Sequence, residues 1–378
     1  MSFADRAVSA LRWNAGRMLP IQQNKIVITS FYGRGYGDNF KPIVEELLKR
    51  GENLDIIWLT ADDAAAKSLP SGVRPVPYTA KNRIHELCTA KIWLDNCRKG
   101  ARVKKPGQWY LQTWHGFALK RIERDAIESL PADYAEYASR DSAQTDLIVS
   151  NSALMTKIYK ESFWYSGEVA EFGSPRNDVL FAPAENLREK VRQELRLPQD
   201  CRMALYAPTF RADGSLDAYC VDYARLQKAL VQRFGGNWVV LIRLHPNVMA
   251  KAKNLKFDGV TTFDATRYND MQELLAAADA VISDYSSLMF DYGLTKRPCF
   301  QFAVDIEAYR KDRNFYFPLS KMPFPLAENN DALEQAVLQW DQTAAEQAWA
   351  HFCEEFGIRE DGKAAARCAD WILEKMKG

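Results

Sequence analysis

The stretch Ala278-Asp-Ala-Val-Ile-Ser-Asp-Tyr-Ser-Ser-Leu-Met-Phe-Asp-Tyr-Gly293 joins a short apolar run to a helix-forming run with only a turn between them. Residues 280–282 have the composition of a buried strand, Ser283-Asp-Tyr285 stops it, and residues 288–294 carry apolar side chains at helical spacing. Ser286 and Ser287 stand where the helix should begin, and a serine oxygen there accepts from an otherwise orphan backbone N–H. A strand that turns directly into a helix also presents free N–H groups and a positive dipole end, which suit a phosphate. The same residues would equally serve as an ordinary cap in any α/β protein.

The pattern recurs along the chain. Strand-like runs are expected at residues 25–31, 55–59, 91–94, 108–112 and 146–150, and again at 202–207, 238–244, 260–263 and 297–302. Helical spacing falls at 41–50, 83–90, 132–143, 153–162, 187–195, 223–234, 271–277, 331–340, 344–356 and 362–377. Alternation of this length implies parallel, doubly wound sheets. A chain of 378 residues exceeds one typical core, so two domains are expected. The break at Gly173-Ser-Pro-Arg-Asn-Asp178 puts the boundary at 173. The expected division is an N-terminal helix (1–20), a first Rossmann-like domain (21–172), a second (173–345), and C-terminal helices (346–378) that cross back to the first.

Composition narrows the function. The chain is 47% hydrophobic and 26% charged with a net charge of +1, so no global basic field points to nucleic acid, and any anion site must be local. Seven cysteines without a C-x-x-C pair fit a reduced, cytoplasmic protein with neither a disulfide framework nor a zinc site. No apolar run is long enough to span a bilayer. Residues 1–19 read as an amphipathic helix. Met1, Ala4, Val8, Leu11, Ala15 and Met18 form its stripe, with Trp13 and Leu19 widening its apolar edge, Arg6, Arg12 and Arg17 off it and Pro20 ending it. Such a helix can lie on an anionic membrane surface or dock on the protein body; both need the same pattern. Gly33-Arg-Gly-Tyr-Gly37-Asp38-Asn39 follows a strand, but its G-x-G-x-G spacing lacks the dinucleotide signature. It is expected to be a flexible loop at a domain mouth, or a plain tight turn.

Four features lie just past the carboxyl ends of expected strands, the edge where open α/β sheets bind ligands: His115, Thr209 with Arg211, Arg243 with His245, and Ser286 with Ser287. Of the four histidines, His85 and His351 lie inside helices and read as structural.

Taken together, Gln112-Thr-Trp-His115-Gly116, Gly173-Ser-Pro-Arg176-Asn177-Asp178, Arg243-Leu-His245-Pro and Ser283-Asp284-Tyr-Ser-Ser-Leu-Met-Phe-Asp291 resemble the CDP-glycerol glycerophosphotransferases, the teichoic-acid and capsule-type polyol-phosphate primases and polymerases. Leu19-Pro-Ile-Gln-Gln-Asn-Lys25 with Gly37-Asp38-Asn39, and Asp361-Gly-Lys-Ala-Ala-Ala-Arg367, look like that family's start and end. The resemblance implies a GT-B architecture: two Rossmann-like doubly wound parallel-sheet domains with a cleft between them. It implies transfer of glycerol phosphate from CDP-glycerol to a hydroxyl of a lipid-linked saccharide or poly(glycerol phosphate), releasing CMP. His115 is the expected base and His245 a second catalytic group. Thr209, Arg211, Arg243, Asp284, Ser286 and Ser287 are expected at the donor. Arg176, Asn177, Asp178, Gly116, Asp38 and Asn39 are expected as substrate contacts. The family often continues His-Gly-Thr-Pro-Leu-Lys where this chain has His115-Gly-Phe117-Ala118-Leu-Lys120, a departure that bears on the acceptor.

No metal site is expected, since Asp284 and Asp291 are about two helical turns apart, and no cofactor is expected. The enzyme is expected in the cytoplasm, held to the inner face of the membrane by residues 1–19. Rival readings are a CDP-ribitol phosphotransferase, a nucleotide-sugar glycosyltransferase of the same fold, and a non-catalytic membrane-associated scaffold.

Overall fold

The computed structural model describes residues 3–99, 104–211, 216, 219–244, 261–312 and 314–378. These divide into two compact units. The first comprises Met1–His115, Ile122–Asp178 and Ile358–Gly378, and the second Gly116–Arg121 and Val179–Gly357.

The first unit holds strands β1 (Gln22–Thr29), β2 (Asp55–Thr60), β3 (Val73–Pro77), β4 (Ala90–Asp95), β5 (Trp109–Gln112), β6 (Leu147–Val149) and β7 (Glu168–Ala170). Among the described residues they form one parallel sheet in the order β3-β2-β1-β4-β5-β6-β7. Residues 25–29 of β1 are buried on both faces, as a central parallel strand requires. Ile26 and Ile28 pack to one side with Phe40, Ile43, Val44 and Leu47 of the helix Phe40–Arg50, whose spacing gives a single apolar stripe. Cys368, Ala369 and Ile372 of the helix Ala364–Lys377 close the same layer. Val27 points the other way, into a second layer with Ile57, Trp93, Leu87 and Trp13. Each such fully buried aliphatic side chain contributes roughly 1.5–3 kcal/mol.

The second unit holds β8 (Cys201–Tyr206), β9 (Asn237–Ile242), β10 (Thr262–Asp264), β11 (Ala280–Ser283), β12 (Cys299–Phe302) and β13 (Leu326–Ala327). They too are all parallel, in the order β10-β9-β8-β11-β12-β13. Leu226, Ala229 and Leu230 of the helix Tyr223–Phe234, and Leu333 and Val337 of the helix Asn330–Leu338, cover Tyr206, Val240, Ile282 and Phe300.

In each sheet the strand order reverses direction at one place, between β1 and β4 in the first and between β8 and β11 in the second. At such a switch point the connections leave to opposite faces, which opens a crevice beyond the carboxyl ends of the strands.

The division of the chain differs from the expected boundaries. Residues 173–178 belong to the first unit, because Asp178 accepts from the N–H groups of Ala364 (3.0 Å) and Ala365 (2.8 Å), capping the helix Ala364–Lys377. The helix Gln342–Phe356 belongs to the second unit, where Phe352 stacks on Phe290 with ring centroids 5.4 Å apart. Only residues 358–378 return to the first.

The N-terminal helix Phe3–Arg17 docks through Trp13, at the edge of the expected stripe. Trp13 is buried, and Gly16 lies so close to Cys88 that a Cβ there would sit 2.8 Å from its sulfur. Val8, Leu11 and Met18 of the stripe remain 45%, 69% and 87% exposed. The glycine loop after β1 is a turn anchored in the fold. Gly33 has φ +90°, and a Cβ there would meet the Ala61 nitrogen at 2.9 Å. Among the described residues, no helix is long and apolar enough to cross a membrane.

Candidate active site

His115 lies three residues beyond β5. The chain turns sharply there, with Trp114 at φ +53° and Gly116 at φ +143°. Gln112 Oε1 accepts from the Trp114 N–H (2.9 Å), and the indole stacks on the imidazole at a centroid distance of 4.3 Å. Phe31 meets the other side of the ring edge-on. His115 Nδ1 is 2.7 Å from the Asn96 carbonyl oxygen. A carbonyl can only accept, so the neutral ring carries its proton on Nδ1 and its lone pair on Nε2. Burial lowers the pKa of His115, partly offset by the Asn96 bond and by Asp38. The ring is therefore a neutral base at pH 7.

The residues around it surround the turn. Arg176 Nη1 donates to Asp38 Oδ2 (2.9 Å) and to the His115 carbonyl (3.0 Å), and Asn39 Nδ2 donates to the Trp114 carbonyl (3.2 Å). Asn177 Nδ2 donates to Glu360 (3.1 Å), and Asp178 caps a helix. These five are among the residues expected at the substrate, and their hydrogen bonds also brace the fold and the His115 turn. Sequence reasoning missed the layer beneath. Arg98, 3% exposed, pairs with Glu123 (2.6 Å) and lies 4.8 Å from the Phe163 ring centroid. Tyr134 donates to Glu123 (2.5 Å), and Lys99 pairs with Asp95 (2.8 Å). The one signal was the polar run Asp95-Asn-Cys-Arg-Lys99 directly past an apolar strand.

In the second unit, the loop after β8 is locked to the turn after β11. Arg211 donates to both oxygens of Asp305 (2.7 and 2.9 Å), to Asp284 (2.8 Å) and to the Thr209 carbonyl (2.6 Å). Its guanidinium also lies about 5 Å from the stacked rings of Tyr285 and Tyr309. Burial pushes the Asp305 carboxyl up, but Arg211 outweighs it and holds it below the usual range. The remaining oxygen of Asp284 accepts from the N–H groups of Thr209 (2.9 Å) and Tyr285 (2.6 Å). Arg211 and Asp284, both expected at the donor, pair with each other and shape the loop.

Ser286 and Ser287 are partly exposed at this turn. The helix that follows is only Leu288–Gly293, and Ser287 is in helical conformation with no capping bond. Ser286 Oγ accepts weakly from Leu288 N–H (3.4 Å). The expected serine cap with a strong dipole is thus replaced by a short helix whose serine hydroxyls are little used locally.

Arg243 lies just past β9. Among the described residues its Nη1 is buried without a hydrogen-bond partner. Burial pulls its pKa down to about 10, so it is still a cation at neutral pH. The Thr209 hydroxyl is likewise buried and unpaired among the described residues. Both lie at the carboxyl ends of strands at or beside the switch point, and both would be satisfied by an anion with acceptor oxygens. His245 lies outside the described residues.

Phe117 and Ala118, where the chain departs from the family pattern, are buried within the second unit. Phe117 packs on Phe290 (4.6 Å), Phe352 and Phe356. Both departing side chains are thus part of the second unit's core.

A family model described as CDP-Glycerol:Poly(glycerophosphate) glycerophosphotransferase matches residues 12–374. The teichoic acid glycerol-phosphate transferase of Staphylococcus aureus (strain NCTC 8325 / PS 47) is 31% identical over 372 residues, 93% of each chain. The teichoic acid poly(glycerol phosphate) polymerase of Staphylococcus epidermidis is 31% identical over 94% of this chain, which spans about half (51%) of that relative's length. Among solved structures, a histidine-to-asparagine variant of the wall teichoic acid polymerase TagF soaked with CDPG is 29% identical. It superposes with a TM-score of 0.84, covering 100% of this chain and 99% of that one.

Proposed function

Because the chain belongs to the CDP-glycerol:poly(glycerophosphate) glycerophosphotransferase family, we propose that it moves glycerol phosphate from CDP-glycerol to a hydroxyl of a lipid-linked saccharide or poly(glycerol phosphate) acceptor in teichoic acid synthesis, releasing CMP. The observation that carries this reading is the His115 ring, held with Nε2 as its basic atom. The acceptor oxygen attacks the phosphorus bearing glycerol while its proton passes to Nε2. The bond from that phosphorus to the bridging oxygen breaks, and its electron pair leaves on the CMP phosphate. Arg243 neutralises the charge that develops there, helped by the hydroxyls of Thr209, Ser286 and Ser287. His245 is proposed as a further donor-side group.

The decisive assay supplies CDP-glycerol, CDP-ribitol and UDP-sugars in turn with a lipid-linked disaccharide and measures CMP or UDP release. CMP release with CDP-glycerol is expected. Release with CDP-ribitol or a UDP-sugar alone would reassign the donor, and none with any donor would leave the scaffold reading.

The reaction is proposed to need no divalent cation. Both oxygens of Asp284 are engaged by Arg211 and backbone N–H groups, and Asp291 is buried against Gln272. Among the described residues no three His, Cys, Asp or Glu side chains converge as a ligand set. Turnover is expected to persist in excess EDTA; loss in EDTA with recovery in Mg²⁺ would overturn this.

The exposed stripe of the N-terminal helix is proposed to rest on the inner face of the membrane. Leu11 in the helix and Met18 just after it are strongly exposed, and Arg12 and Arg17 are exposed beside them. Each basic residue near an anionic surface contributes about 1 kcal/mol. The double substitution Leu11→Asp with Met18→Asp is expected to reduce partition onto phosphatidylglycerol vesicles about tenfold or more, by removing apolar contact. Thermal stability should barely change, because Trp13 holds the helix. Unchanged partition would remove the membrane assignment.

A further inference from the structure

We propose that Asp38 and Arg176 are positioning residues for His115: with Asn96 they fix the ring with its proton on Nδ1, and their opposite charges set the pH at which Nε2 is free to accept. The effect on turnover rests on His115 being the base, but the state of the ring can be read without substrate.

Three loops converge on the histidine, two of them at the switch point of the first sheet. Asn96, completely buried after β4, offers its carbonyl oxygen to Nδ1. Its side chain is fixed at both ends: Oδ1 accepts from the Phe31 N–H (2.9 Å), and Nδ2 donates to Asp38 Oδ1 (3.0 Å). The second oxygen of Asp38 takes Arg176 Nη1, and that nitrogen also holds the His115 carbonyl. The chain Asn96–Asp38–Arg176 therefore runs from the ring nitrogen of His115 back to its own backbone. Asn39 braces it, accepting from the Arg176 N–H (3.2 Å) while donating to the Trp114 carbonyl. Asp38 sits at φ +55°, a region that costs a non-glycine residue energy and persists only where the surroundings impose it.

The charged groups that face His115 are Asp38 from the loop after β1, Arg176 from the segment after β7, and Glu123 from the segment after β5, itself paired with Arg98. Asp38 and Glu123 favour the protonated ring; Arg176 and burial oppose it. Removing the charge of Asp38 leaves Arg176 uncompensated and should lower the histidine's titration midpoint. Removing the charge of Arg176 leaves Asp38 uncompensated and should raise it. A purely structural role would give no such opposition of sign.

The test is ¹⁵N NMR of the full chain labelled at histidine, with the His115 signals assigned from His115→Gln. The wild type is expected to show the Nδ1–H tautomer. Asp38→Asn should move the midpoint down and Arg176→Gln up, each by roughly half a pH unit or more. Arg176→Lys should restore most of the wild-type value. Should Asp38→Asn not fold, Arg176→Gln against Arg176→Lys supplies the signed comparison alone. An Nε2–H tautomer in the wild type, or folded variants that shift together or not at all, would overturn the proposal. The acidic limb of kcat measured on the same samples should follow the NMR midpoints. If the midpoints move and the limb does not, the positioning role stands and the assignment of His115 as base fails.

Discussion

Replacing His115 by glutamine is expected to lower kcat by about 10²–10⁴-fold, the contribution of a positioned general base. KM for the donor should change little, because the donor groups belong to other residues. The fold should survive, since the glutamine amide can still donate toward the Asn96 carbonyl and only part of a bond worth about 1 kcal/mol is disturbed. Circular dichroism and steady-state turnover together check this; near wild-type turnover in a folded variant would refute the base assignment. A pH profile adds a second readout. Burial holds the His115 pKa below its ordinary value of 6.5, so the acidic limb of kcat should lie below pH 6.5. The stability linkage has the same direction. The folded state disfavours the proton relative to the unfolded chain, so the ring's contribution is fully present above the unfolded pKa and lost as pH falls through the folded one.

Arg243→Met should show the opposite relation between stability and activity. If substrate supplies its counter-charge as proposed, the guanidinium is a cost to the free protein and a gain to the complex. Losing its charge-assisted bonds to the donor phosphate removes about 1.5–3 kcal/mol, or roughly 10- to 150-fold in kcat/KM for the donor. Methionine of similar volume relieves the burial penalty, so the variant should melt higher, by about 2–4 °C for each kcal/mol relieved. Arg243→Lys should keep part of the activity. Loss of stability together with activity in Arg243→Met would mean that the guanidinium is paired within the free protein, and the donor assignment would fall.

Much of the architecture was legible because parallel strands buried on both faces are continuous apolar runs. The helices Tyr223–Phe234, Met271–Ala277 and Ala153–Ser162 were read to the residue, since caps such as Asp222, Asp270 and Ser152 mark their starts. The strand β3 was missed because Pro75 and Pro77 argue against a strand; at the edge of the sheet the missing N–H groups cost nothing. The strands β7 and β13, three and two residues long, are too short to carry a period. At the site, the residue types and their place past strand ends could be read in advance. Their partners could not: a carboxylate near an arginine in space has no sequence spacing, so the pairs Arg211–Asp284 and Arg176–Asp38 were not foreseen. Asn96 reaches the ring through its backbone carbonyl, which any residue possesses, so that contact could not be read from its side-chain type.

The chain passes from the first unit into the second at Gly116, so two adjacent side chains have unrelated duties. His115 carries the proposed proton transfer, while two positions later Phe117 is a keystone of an aromatic cluster. A random-mutagenesis screen scored by lost product would return both as one hotspot. Scoring the same library for soluble protein would separate them, with Phe117 depleted and His115 tolerant. This short run of residues is thus two constraints laid end to end, and donor or acceptor engineering that treats it as one would destroy the scaffold while aiming at the chemistry.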